Sequence, residues 1–89
     1  PGRIQPGSVS SHVCSFADFM ATAAEFTGRK APAGGDGISF LPALEGRRQK
    51  THDYLYWELP RYDGKTGTFP DEVPMQALRQ GPWKAVRPK

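Results

Sequence analysis

The 89 residues predict a small α+β unit, one amphipathic helix followed by a short antiparallel sheet. Three observations carry this expectation. Phe16, Phe19, Met20, Ala23 and Ala24 recur at the spacing of one helix face. The run Tyr54-Leu55-Tyr56-Trp57-Glu58-Leu59 alternates with the period of a strand and consists largely of strong β-formers. Two further short runs flank Gln80-Gly81-Pro82 at the spacing of a tight hairpin.

The elements follow in order. Residues 1–8 read as an extended entry strand rich in turns, because Pro1-Gly2 and Pro6-Gly7 are turn dipeptides. The helix is expected over residues 15–28. Ser15 is its N-cap, Asp18 takes the capping-box position and is itself a rival cap, and Gly28 closes the last turn in the left-handed conformation. Its apolar stripe is expected to pack against a larger body and to stay partly exposed in this chain alone. Residues 29–37 form a flexible connection that ends in the Asp36-Gly37 turn. Ile38, Phe40, Leu41 and Leu44, interrupted by Pro42 and closed by Gly46, make a packing loop or one short helical turn. Pro60 ends the first strand, and residues 60–75 are a long loop. In the last strand Trp83, Ala85 and Arg87 share one face, with Lys84 and Val86 on the other. Two regions result, residues 1–50 and 51–89.

Composition narrows the classes further. Hydrophobic residues make up 37% of the chain, and 10 Gly and 9 Pro leave much of it to turns. Such a chain builds a thin core, and its single cysteine excludes an internal disulfide. His12 and His52 with Cys14 match no zinc spacing. These facts predict a piece of a larger protein. No apolar run approaches the ~20 residues of a membrane span. The net charge is +3, but Lys and Arg are scattered, and Arg47-Arg48-Gln49-Lys50 reads as a solvated loop. No nucleic-acid motif accompanies it, so no nucleic-acid partner is expected.

Chemistry-bearing residues are few. Cys14 and His12 share a face only if the backbone there is extended, and no orienting carboxylate is implied. Asp18 and Glu25 lie seven apart on the helix, where capping and solvation compete with an acid–base pair. Asp71-Glu72 lacks a third oxygen ligand spaced for a metal. Trp57, Glu58, Arg79, Trp83 and Lys84 either line a pocket for an anionic or sugar-like ligand or simply cover the sheet.

The order of the pieces is itself informative. Pro1-Gly2-x-Ile4-x-Pro6-Gly7 comes first, then Ser15-x-x-Asp18-x-x-x-Thr22 running to Gly28. Asp36-Gly37-x-Ser39-x-x-Pro42-x-Leu44-x-Gly46 and Tyr56-Trp57-Glu58 follow. Gln76-Ala77-x-Arg79-x-Gly81-x-Trp83-Lys84-Ala85-Val86-Arg87 comes last. This order closely resembles the C-terminal part of the arylsulfatase-type sulfatases, members of the alkaline-phosphatase-like superfamily, over nearly the whole chain. Ala21 and Pro82 depart from the pattern, standing where the family usually has Pro and a polar residue.

The resemblance implies that residues 1–50 finish the large α/β domain and residues 51–89 form the small C-terminal antiparallel subdomain. It implies a parent that hydrolyses sulfate esters. The rival readings are a related phosphate or phosphonate ester hydrolase of the same superfamily and, apart from the resemblance, a stand-alone basic binding module. The family uses calcium and a formylglycine made within a C/S-x-P-x-R motif. Cys14-Ser15-Phe16-Ala17-Asp18 does not match that motif, so no catalytic or metal-binding residue is expected in this chain. The implied partners are the rest of the sulfatase chain and a sulfated small molecule or carbohydrate. The sequence itself assigns no compartment, and analogy with the family points to a periplasmic or secreted parent. Substrate contacts are expected from Arg61, Tyr62 and Lys65 in the long loop, whose Tyr and two cations suit a sugar face and anionic substituents. Arg79 and Lys84 are the alternative contacts, unless they pair with Glu58 across the sheet.

Overall fold

The structure, a computed structural model, describes residues 2–70 and 73–88. The Asp71-Glu72 pair lies outside the described residues. The chain divides into two compact units, residues 1–52 and 53–89. The first holds α1 (Asp18–Phe26) and α2 (Leu41–Leu44), and the second holds β1 (Leu55–Leu59), β2 (Met75–Gln80) and β3 (Trp83–Arg87). This is the α+β arrangement expected.

Residues 2–14 hold no strand, contrary to the expected entry strand. A strand needs a neighbouring ladder to satisfy its backbone. Here the chain instead closes a turn in which the Ser8 N–H donates to the Gln5 carbonyl at 3.2 Å. Arg3 anchors this stretch, stacking over the Phe26 ring at 4.7 Å and donating to Glu45 from Nε and Nη2 at 2.9 and 2.7 Å.

α1 begins later than expected. A turn closed by Asp18 N–H on the Ser15 carbonyl, at 3.1 Å, precedes it, and Ala17, not Ser15, is the N-cap and offers no side-chain cap. Half of the expected capping box forms: Asp18 Oδ2 accepts the Ser15 N–H at 2.7 Å. The C-terminus follows the expectation. Gly28 takes φ +70°, its N–H donates to Glu25 O at 3.0 Å, and Arg29 N–H donates to Ala24 O at 2.8 Å. That pair of bonds is a Schellman closure. The apolar stripe is exposed, with Phe16 at 101% and Phe19 and Met20 at 62% and 63%. The buried face of the helix is polar instead, namely Asp18 and Thr22.

α2 packs beside α1. It carries Pro42 in its first turn, where a missing N–H costs nothing, and buries Leu41. Gly37 permits the close approach of this segment to the helix. A Cβ there would lie 2.2 Å from Ala17 O and 2.9 Å from Ala17 C. Among the described residues only Leu41 and Leu55 are buried apolar side chains, so the core is as thin as composition predicts.

The second unit is a three-stranded antiparallel sheet in the order β1-β2-β3. The register pairs Leu55 with Arg79 and Leu59 with Met75, and Gln76 with Arg87 and Gln80 with Trp83. Opposed residues share a face, so Leu55, Trp57, Leu59, Met75, Ala77, Arg79, Lys84 and Val86 lie on one side. Tyr56, Glu58, Gln76, Leu78, Gln80, Trp83, Ala85 and Arg87 lie on the other. The β2–β3 turn has Gly81 at φ +54° followed by Pro82. A positive φ at the first central position alone corresponds to a type II′ turn, and proline suits its second position because φ there is negative. This is how the hairpin tolerates Pro82.

Candidate functional site

The best-organised polar cluster lies in the first unit, around Asp18. Its side chain has 0% exposure and accepts three hydrogen bonds. Oδ2 accepts from Ser15 N–H at 2.7 Å, and Oδ1 accepts from Ile38 N–H at 2.8 Å and from His52 Nε2 at 2.7 Å. Burial alone would raise the Asp18 pKa, but these three bonds and the charge interaction with His52 outweigh it and hold the group below its ordinary value. An ionised carboxylate only accepts, so His52 Nε2 carries a proton. Thr22 extends the cluster, donating to Asp18 O at 2.8 Å and accepting from Phe40 N–H at 3.0 Å. Gln49 completes it. Oε1 accepts the Ala43 N–H at 2.9 Å, and Nε2 donates to Ser39 O and Lys50 O, each at 2.7 Å. These bonds tie residues 38–52 to α1 and to one another. Asp18 is fully buried and its side-chain hydrogen bonds all run to groups of this same unit, which is the chemistry of a structural clamp.

Asp18 and Glu25 do not form an acid–base pair. Asp18 is buried, whereas Glu25 is exposed and lies 3.7 Å from Arg47 Nη2. Cys14 is exposed, and among the described residues no thiol–imidazole hydrogen bond joins it to His12. His12 Nε2 is buried without a partner among the described residues. Nor does any group of three or more His, Cys, Asp and Glu among them stand where it could hold a metal ion, so the described residues do not fit a calcium site.

The expected ligand-binding residues are divided by the sheet. Trp57, Arg79 and Lys84 lie on one face and Glu58 and Trp83 on the other, so the five cannot line one pocket. Glu58 does not pair with Arg79 or Lys84. It accepts from Tyr56 Oη, and from Gln76 Nε2 at 2.9 Å, while Gln76 Oε1 accepts from Arg87 at 3.2 Å. The register explains the change, since it sets Gln76 opposite Glu58 and Lys84 opposite Arg79. The Tyr56 hydroxyl lowers the Glu58 pKa, helped by Gln76, and Glu58 in turn raises that of Tyr56.

Arg61, Tyr62 and Lys65 sit in the β1–β2 connection. There Asp63 and Thr68 form an isolated bridge, Lys65 N–H donates to Asp63 Oδ1 at 2.8 Å, and Tyr62 stacks on Phe69 with centroids 5.4 Å apart. This connection leaves the sheet at its Leu59–Met75 end, whereas Arg79 and Lys84 lie beside the β2–β3 turn. Four strand residues, roughly 13 Å, separate the two ends. Sequence reasoning missed His52 and Gln49. Their partners lie 34 and 10 residues away, and no local periodicity marks such pairs.

No family model matches the chain. Over 56 residues it is 39% identical to an ulvan-active sulfatase of Formosa agariphila, a match that covers 63% of this chain and 11% of that protein. The chain thus spans about a tenth of the length of this relative, and the match supports a relationship to the sulfatases. Among the described residues no helix is long and apolar enough to cross a membrane.

Proposed function

We propose that the chain is the C-terminal portion of a sulfatase of the alkaline-phosphatase-like superfamily, whose complete protein hydrolyses sulfate esters of a carbohydrate or other small molecule. Residues 1–50 finish its large α/β domain, and residues 51–89 form its small C-terminal subdomain. The observation that carries the reading is the 39% identity over 56 residues to the ulvan-active sulfatase. The ordered motifs support it, because several of their residues hold the fold together. Asp18, Thr22, Gly37 and Ser39 all take part in the clamp or in the close approach beside it.

In this reading the chain supplies no catalytic group. A formylglycine and a calcium ion, both held outside these 89 residues, supply the sulfur chemistry of the parent. This piece contributes the scaffold and surface residues that meet the substrate. The test compares the complete protein that contains this sequence with the 89-residue chain, using an aryl sulfate and an aryl phosphate with calcium present. The complete protein should release sulfate, and the short chain should release nothing. Release of phosphate but not sulfate would transfer the reading to a phosphoesterase. Metal-dependent turnover by the short chain, lost in Cys14→Ser, would overturn it.

A further inference from the structure

The face of the sheet that carries Trp57 holds two cations side by side. Arg79 and Lys84 are directly opposed across β2 and β3. Like charges in that position repel. Neither forms an ion pair among the described residues. Arg79 Nε donates only to Gly81 O, at 3.4 Å, and Lys84 donates to no side chain or carbonyl among them. No acid is among the described strand residues of this face, whose other members are Leu55, Trp57, Leu59, Met75, Ala77 and Val86.

Edge protection explains only half of this. A lysine on an edge strand blunts unwanted pairing, and β3 is an edge. β2 is the central strand, so Arg79 has no such role. The neighbouring row supplies a platform. Trp57 is 41% exposed and faces the small Ala77, which leaves part of the indole uncovered. It lies two residues along the strand from the Arg79–Lys84 row, one strand across from Arg79 and two from Lys84, which puts the two cations about 8 and 12 Å away. That spacing fits a sugar ring against the indole with anionic substituents of the same and the next residue at the cations.

We propose that Arg79, Lys84 and Trp57 form a binding site for a sulfated polysaccharide segment, with the two cations taking its sulfate groups and the indole taking a ring. The inference rests on the sulfatase reading for its choice of sulfate as the anion. Charge complementarity carries it, since the described strand residues of this face bear two positive charges and no negative one. The guanidinium supplies a planar donor fork for sulfate oxygens, and the ammonium adds a second positive charge beside it.

The experiment uses the complete protein and measures binding of a dextran sulfate oligosaccharide by calorimetry, with unsulfated dextran as the reference. Aryl sulfate turnover of the unmutated protein is measured separately and tests the sulfatase reading. Dextran sulfate should bind and dextran should not. Arg79→Gln with Lys84→Gln should weaken binding tenfold or more and flatten its salt dependence. Arg48→Gln with Lys50→Gln, which removes the same charge from the polar connection, should change it less than twofold. Lys84→Gln alone removes no hydrogen bond, so it tests the site even where the double variant unfolds, and it should weaken binding at least threefold. Binding unchanged in Lys84→Gln, or equally weakened by both double variants, would overturn the site whatever the turnover. Binding that depends on Lys84 in a protein without sulfatase turnover would keep the site and refute the sulfatase reading.

Discussion

Replacing Asp18 by alanine should unfold residues 1–52. The substitution removes a fully buried carboxylate and orphans three donors at once: the N–H groups of Ser15 and Ile38 and His52 Nε2. Hydrogen bonds to a charged group contribute about 1.5–3 kcal/mol each, and breaking a buried pair costs about 3–5 kcal/mol. The bonds share one acceptor, so they do not add fully, and a loss of about 3–5 kcal/mol is the working figure. A unit this small has about that much stability in total. Both helices lie in residues 1–52, so far-ultraviolet circular dichroism reads the event directly. The helical signal of Asp18→Ala should be lost at 25 °C, or its melting point should fall by well over 10 °C. Acid should act in the same direction. The folded pKa of Asp18 lies below its unfolded value, so the stabilisation is complete above about pH 4 and is lost as pH falls through the folded value. Glu45, held low by its bond to Arg47 and then by Arg3, and Glu58, held low by Tyr56, also respond to acid. The diagnostic is therefore the difference between the native chain and Asp18→Asn, which should be smaller at pH 2 than at pH 6. An Asp18→Ala chain that melts with the native midpoint would refute the reasoning.

Two other substitutions probe the same unit by different physics. Gly37→Ala would force a methyl group into the Ala17 carbonyl, 2.2 Å away and part of the backbone, so urea titration should show a loss of about 1–3 kcal/mol. Gln49→Leu leaves the Ala43 N–H and the Ser39 carbonyl without their partners, and should lower stability by about 1–3 kcal/mol while faster hydrogen exchange appears at Ala43.

What could be read from the chain alone was local. The Schellman closure at Gly28 needs only a residue that adopts positive φ after an apolar run. The strand Trp83–Arg87 and its two faces follow from period-2 alternation. The order of the motifs pointed to the sulfatases, and the match to the ulvan-active sulfatase supports that relationship. What tertiary structure decided were pairings between distant residues. Register set Gln76 rather than Lys84 beside Glu58, and put the tryptophans on opposite faces of the sheet. A one-residue difference in register moves every side chain to the other face, and nothing in a short alternating run specifies its partner. The helix shows the same limit. Its periodicity marked Phe16, Phe19 and Met20, yet the face buried within this unit is Asp18 and Thr22. A polar face can be buried only where specific donors meet it, and Ile38, Phe40 and His52 reach it only once residues 38–52 have folded back onto α1.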